Sequence, residues 1–111
     1  MKGIHGFSGW LGTLDALQQE NIQMKNILAD IIRSTSKGSE LEEAELFLNR
    51  FLNKDTVFSL LRYDIASFQK KPLTEGLQVK LTALEGDLNL LKKEFDRLKL
   101  DFNYFLVGKE V

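Results

Sequence analysis

Large apolar residues recur at alternating intervals of four and three along the last third of the chain. The positions that carry this repeat are Leu77, Leu81, Leu84, Leu88, Leu91, Phe95, Leu98, Phe102 and Phe105. In an α-helix this spacing keeps the side chains on one narrow stripe, whereas a strand would need an alternation of period two. Such a stripe is typical of helices that pack side by side with knobs-into-holes contacts. We call these nine residues the core stripe, and they predict a long helix in which Leu88 is fully buried.

Two earlier segments show the same periodicity. The first segment carries Leu14, Leu17, Asn21, Met24, Leu28 and Ile31, and the second carries Ala44, Phe47, Phe51, Phe58, Leu61, Ile65 and Phe68. A polar run of turn-forming residues at 34–38 separates the two segments. Pro72 ends the second segment because the residue before a proline avoids the helical region. The chain therefore contains three predicted helices.

Capping signals give the approximate bounds of these helices. Thr13 and Thr74 are predicted N-caps, and Ser39 with Glu42 has the spacing of a capping box. Gly108 is the predicted C′ residue of the third helix. The predicted helices are about 13–34, 39–71 and 74–107, between a glycine- and aromatic-rich arm at 1–12 and a tail at 108–111.

The connections between the helices are short, so sequential helices must lie antiparallel. The second helix would be roughly 45 Å long at 1.5 Å per residue. These features predict an all-α fold, an elongated up-down-up antiparallel three-helix bundle with coiled-coil-like packing, formed by residues 13–107. The alternative is a hairpin of the last two helices that dimerises, with the first helix packed across the pair.

Two polar residues interrupt the apolar stripes of the first two helices. They are Asn21 and Lys54, and folding the first helix back about Lys37 places them at the same level of the bundle. A shared polar layer fixes the register of helices at some cost in stability. We predict this role, with a functional buried polar site as the alternative. The second helix is expected to continue through residues 53–56 with a bend, or else to restart at Asp55.

The third helix carries a second apolar pattern opposite the core stripe. Its members are Val79, Ala83, Gly86, Leu90, Leu100, Tyr104 and Val107, and we call them the outer stripe. Only Lys93 and Arg97 interrupt the outer stripe, although a helix at the edge of a bundle normally shows charge on that face. Gly86 destabilises a helix by about 1 kcal/mol relative to alanine, which suggests close packing there. The outer stripe predicts a homo-oligomer, with a dimer favoured, or a partner helix.

Charges beside the core stripe bear on the orientation of such a dimer. In a parallel pair of third helices, Lys80 would face Glu85, Asp87 would face Lys92 and Glu94 would face Lys99, each across the interface. The same residues are equally able to pair with the first two helices of their own chain. The pattern permits a parallel dimer without requiring one.

The amino-terminal arm has glycine at every third position. Gly3, Gly6, Gly9 and Gly12 are interleaved with Ile4, His5, Phe7 and Trp10. A phosphate-binding loop would need a preceding strand and a following lysine, and the arm has neither. A membrane-surface ridge would need several basic residues, and only Lys2 is present. We expect the arm to pack its aromatic residues on the bundle or on a neighbouring chain.

Composition narrows the class of protein. The 111 residues are enough for one domain, and 43% hydrophobic with 28% charged residues is typical of a globular fold. A net charge of −1 argues against nucleic acid as a partner. The chain has no cysteine, which makes the cytoplasm the expected compartment. It has no apolar run of the ~20 residues that cross a bilayer and no secretion signal near its start, so no membrane partner is expected.

Catalytic chemistry has little support in the sequence. His5 is the single histidine, so a histidine-based triad or a multi-histidine metal site cannot form within one chain. The Glu-x-x-His pairs of di-iron bundles are also missing. We therefore expect no enzyme activity, no cofactor and no metal. The predicted function is a scaffold or adaptor that works by helix-mediated self-association. The alternative is a chaperone-like or regulatory module that binds a partner's amphipathic helix in an apolar groove.

Overall fold

The computed structural model consists of three long helices, α1 (Lys2–Ser34), α2 (Gly38–Gln69) and α3 (Glu75–Glu110). It describes the backbone of residues 2–35 and 38–110 and the side chains of residues 9–35 and 38–108. The molecule measures 56 × 19 × 18 Å. The predicted all-α, elongated three-helix bundle is confirmed. Within the described residues, none of the helices is apolar over enough of its length to cross a membrane.

Ion pairs and aromatic ring contacts between the helices show their relative directions. Arg50 of α2 pairs with Asp101 of α3, while Phe58 contacts Phe95, so α2 and α3 are antiparallel. Lys99 of α3 pairs with Glu20, near the middle of α1. Helix α1 packs mostly against α2.

Ion pairs show that α1 and α2 are also antiparallel. Lys25 binds Asp55, and Arg62, further along α2, binds Asp15, which precedes Lys25 in α1. Because α1 lies lengthwise against α2, the alternative of a helical hairpin crossed by the first helix is wrong.

The buried residues are those that the apolar periodicity predicts. Eight members of the core stripe are buried, Leu88 among them at 5% exposure, and Phe105 at the end of the stripe is partly buried. Aromatic rings join α2 to α3: the Phe51 ring lies 6.2 Å from that of Phe95 and 5.4 Å from that of Phe102, both edge-on. This geometry is favourable for aromatic pairs and is worth about 0.5–1.5 kcal/mol beyond area burial.

The first helix begins before residue 13. Instead of a separate arm at 1–12, α1 is helical from Lys2, without a break at Thr13. Glycine within a helix costs about 1 kcal/mol per residue, but apolar contacts can offset this. Trp10 and Leu11 supply such contacts, since both pack partly buried against the core. The side chains of Ile4, His5 and Phe7 lie outside the described residues.

The other helix ends agree in part with the capping signals. The Thr74 hydroxyl accepts a hydrogen bond from the Leu77 amide at 3.2 Å, which confirms Thr74 as the N-cap of α3. The α2 helix starts at Gly38, so Ser39 lies inside its first turn rather than before it, and Lys37 lies outside the described residues. The α3 helix continues to Glu110 and Gly108 has no positive φ, so the predicted C′ residue is wrong.

The α2 helix is continuous through residues 53–56, as expected, and does not restart at Asp55. Continuity places successive residues at about 100° intervals around the helix. Asp55 is therefore turned toward α1 and Lys54 toward α3, as their ion pairs with Lys25 and Glu94 show. Because of this difference in direction, Asp55 and not Lys54 binds Asn21 in the polar layer.

Candidate functional site

Asn21 is the one buried polar residue among those described, with an exposure of 0%. Its amide nitrogen donates to the Phe51 carbonyl at 3.1 Å and to Oδ1 of Asp55 at 2.7 Å. Because both partners are acceptors, the side-chain amide must present its NH₂ group to α2. Lys25 donates to Oδ2 of the same Asp55 at 2.5 Å. Asn21 Oδ1 has no hydrogen-bond partner among the described residues, and an unsatisfied buried acceptor lowers stability.

Lys54 is next to the residues that bind Asn21, but among the described residues it forms no hydrogen bond to Asn21. Lys54 lies on the α3 side of α2, where its ammonium donates to Oε1 of Glu94 at 3.1 Å and is 18% exposed. Asp55 takes the place predicted for Lys54. The physical reason is the turn of about 100° between adjacent helical residues, which sends neighbours to different sides. Asp55 was missed because it lies beside the apolar stripe rather than on it.

We expect Asp55→Ala to lower the free energy of unfolding by about 1–3 kcal/mol, because it removes acceptors from the buried Asn21 amide and from Lys25. Asp96→Ala is the matched control: Asp96 is 71% exposed and 3.7 Å from Lys99, so its loss should stay within about 0.5 kcal/mol. Urea denaturation followed by circular dichroism measures both. Equal small effects would mean that the polar layer does not stabilise the α1–α2 register.

The outer stripe of α3 is exposed along its whole length. All seven members lie on the solvent side, from Val79 at 70% exposure to Tyr104 at 71%, with Leu90 at 55% in between. The structure therefore places the predicted interaction residues on one free face of one helix. Their side chains are apolar apart from the Tyr104 hydroxyl.

Gly86 has no packing requirement within its own chain. A Cβ atom at this position would meet nothing within 4 Å. The close-packing reason suggested by the sequence is therefore not found inside the described part of the molecule.

We expect Gly86→Ala to raise the free energy of unfolding of the monomeric chain by up to about 1 kcal/mol, since alanine is the better helix former and the space is open. Gly12→Ala in α1 is a matched control with equally open surroundings. Thermal unfolding at low protein concentration measures both. A destabilised Gly86→Ala variant would show that the chain itself packs against this glycine.

A groove between α2 and α3 adjoins the outer stripe. Its floor and walls are apolar, with Leu60 and Leu90 at 60% and 55% exposure beside Val57, and Asp64 and Asp87 lie at its rim. Sequence reasoning missed the α2 part of this surface. Leu60 and Val57 do not belong to the apolar repeat that α2 shows by itself. They form one surface only because α3 lies beside them.

The same groove continues toward the other end of α2, where it becomes basic. Arg50, Asn53 and Lys54 from α2 face Lys93 and Arg97 from α3 across a space of about 480 Å³. The two cations that interrupt the outer stripe therefore belong to this basic region. The α2–α3 face thus has one basic half and one half that is apolar with a carboxylate rim.

A parallel dimer through the core stripe is not compatible with this fold. The core stripe is buried against α1 and α2. Two of the charges that would have paired between copies instead pair within the chain, Glu94 with Lys54 and Lys99 with Glu20. A dimer must therefore use an outer surface.

The described residues contain no group of three or more histidine, cysteine or carboxylate side chains that could hold a metal ion. Comparison of the chain with protein-family models, with curated proteins and with solved structures returned no match.

Proposed function

We propose that this protein is a structural or interaction module that acts by helix-mediated self-association, as a scaffold or adaptor whose unit is a homodimer. The observation that carries the proposal is the outer stripe, which stays exposed when the core is complete. Contiguous apolar surface on a small protein commonly marks an interaction site. We place this module in the cytoplasm because its chain lacks cysteine.

The second candidate is a chaperone-like or regulatory module that binds a partner's amphipathic helix. The observation that favours it is the groove between α2 and α3, in which Leu60 and Leu90 stand exposed beside Val57. An amphipathic helix inserts apolar side chains at intervals of three and four into a groove of this kind. In this case the isolated chain would be monomeric, and the groove would be filled only by the partner.

The substitution Leu100→Glu tests self-association. Leu100 is 48% exposed in the single chain, so a glutamate there should change the stability of a monomer by no more than about 0.5 kcal/mol. In a dimer that buries the outer stripe, the same carboxylate would be desolvated without a partner, which is costly. We expect the variant to be folded and monomeric at concentrations where the unmodified protein is dimeric.

Leu52→Glu is the matched control for this experiment. Leu52 has a similar exposure of 44%, and it lies three residues from Asp55, on the side of α2 that faces α1. Light scattering gives the molar mass of each variant, and circular dichroism gives its helix content. Equal dissociation by both substitutions would assign the effect to charge in general. Unfolding of the Leu100→Glu variant would mean that this face belongs to the core.

A further inference from the structure

We infer that the α2–α3 face is the dimer interface, and that a second copy of this chain binds it in antiparallel orientation about a two-fold axis near Lys93. The inference rests on the proposed self-association and adds the surface, the orientation and the charges that select them. Four observations lead to it: the charge of each half of the groove, the unpaired carboxylates, the symmetric spacing of four outer-stripe residues and the position of its centre.

The basic half of the groove has more cations than carboxylates. Its cations are Arg50, Lys54, Lys93 and Arg97. Asp101 accepts from the two arginines, each at 3.3 Å, and Glu94 accepts from the lysine of α2 at 3.1 Å. Four positive charges against two negative charges leave a net charge of +2 on this half.

The other half of the groove carries the opposite charge. Asp64 of α2 and Asp87 of α3 line this half together with Leu60 and Leu90. Glu94 also lines it, but its charge is matched by Lys54. Neither aspartate forms an ion pair with any of the residues that the structure describes. This half therefore presents two charges that the fold leaves unmatched, equal and opposite to the excess of the basic half.

Four of the seven outer-stripe residues are spaced symmetrically about Lys93 along the sequence. Val79 and Val107 each lie fourteen residues from Lys93, and Gly86 and Leu100 each lie seven residues from it. A two-fold axis at this level therefore places Leu100 of one copy at the same level along the bundle as Gly86 of the other.

The level of Lys93 is close to the middle of the bundle. The contact between Phe58 and Phe95 marks one level, and α2 and α3 each extend 20 residues from their starts to this contact, from opposite ends. Twenty residues correspond to about 30 Å, roughly half of the 56 Å length. Lys93 is two residues from Phe95, so an axis there lets the two copies overlap along nearly their whole length.

The outline of the molecule is large enough for a stable dimer only if the two copies overlap along most of their length. The outline of 56 Å by 19 Å encloses about 1,000 Å², and stable interfaces need about 800 Å² per partner. The apolar part of the groove alone covers less than half of the length and would fall short of this requirement. The charged regions must therefore lie inside the interface.

Charge then selects the antiparallel orientation. An antiparallel pair sets the basic half of each copy on the acidic half of the other, twice by symmetry, whereas a parallel pair sets like charges together. Complementary charge gives orientation and specificity to an interface, and like charges are strongly disfavoured. Lys93 of one copy faces Lys93 of the other copy near the axis. The long lysine side chains let the two ammonium groups separate into solvent.

Charge reversal on each half tests the inference. Asp64→Lys with Asp87→Lys makes both halves basic, and Lys93→Glu with Arg97→Glu makes both halves acidic. We expect each double variant to self-associate at least about tenfold more weakly than the unmodified protein, since like charges meet. An equimolar mixture of the two variants should regain the dimer mass, because every contact between them is complementary. Sedimentation velocity measures each sample and the mixture.

A control variant carries the same change of charge elsewhere. Glu85→Lys with Asp96→Lys adds four positive charges on the α1 side of α3, where Lys99 binds Glu20, and it should dimerise normally. If a double variant loses its helical signal, the single substitutions Asp87→Lys and Arg97→Glu are mixed instead.

The possible results separate this inference from the proposed function. Double variants that dimerise like the unmodified protein, or monomeric variants whose mixture stays monomeric, would overturn the antiparallel interface while self-association stands. An unmodified protein that is monomeric at every concentration would overturn the proposed function itself. Loss of dimer in each variant with recovery in the mixture is the result expected here.

Discussion

Phe51→Ala is expected to lower the free energy of unfolding by about 3–5 kcal/mol, the largest loss at any position considered. Phe51 is completely buried, and its ring meets those of Phe95 and Phe102 edge-on. Truncation leaves a cavity between α2 and α3 and removes both ring contacts. Partial collapse of the helices can fill little of this space, because Asn21 and Asp55 hold the same part of α2 against α1.

Urea denaturation at low protein concentration measures this loss. Leu46→Ala is the control on the same helix, since Leu46 is 63% exposed, and its effect should stay within about 0.5 kcal/mol. A loss at Phe51 of less than about 1 kcal/mol, well under the range for buried phenylalanine, would mean that the aromatic layer does not hold α3 to the bundle.

Leu88→Ala is expected to lower the free energy of unfolding by about 2–5 kcal/mol. Leu88 lies in the middle of the core stripe at 5% exposure, whereas Leu90, two residues further along the same helix, is 55% exposed. Substituting each of these two leucines in turn compares the buried face and the exposed face of α3 with the same residue type. Leu90→Ala should leave the monomer nearly as stable as before and weaken the dimer instead.

The two leucine variants are compared by denaturation at low concentration and by sedimentation at high concentration. A stability loss below about 0.5 kcal/mol for Leu88→Ala would contradict the assignment of the core stripe. A large loss for Leu90→Ala in the monomer would show that the outer stripe is packed against its own chain.

The fold could be predicted from the sequence because the apolar spacing is nearly unbroken. The core stripe places its residues at every predicted level of α3, and the structure buries eight of the nine. A helix period needs no tertiary information, since it follows from the geometry of one helix. Pro72 and Thr74 bound the last connection by equally local chemistry, and the structure agrees with both.

The start of α1 could not be predicted because local and tertiary preferences conflict there. Glycines disfavour a helix before Thr13, but Trp10 and Leu11 gain contacts with the core by continuing it. Propensity alone gives the wrong answer at such a point. The end of α3 is similar, since Gly108 was assigned as a terminator although nothing in the fold requires the helix to stop there.

Only part of the candidate site could be predicted from the sequence. The outer stripe was found because it lies on one helix and shares its period. The replacement of Lys54 by Asp55 in the polar layer was missed because a single residue decides which neighbour a side chain faces. The groove was missed because Leu60 and Leu90 belong to different helices, and their proximity depends on the α2–α3 register that the aromatic contacts set.

The central claim is that the exposed face of this chain binds a second copy, and the molar mass of the unmodified protein tests it most directly. Sedimentation equilibrium over a wide range of concentration should show a mass that rises from that of one chain, 12.7 kDa, to twice this value and no further. A mass that remains at 12.7 kDa at the highest concentration would contradict self-association and favour a partner helix in the groove.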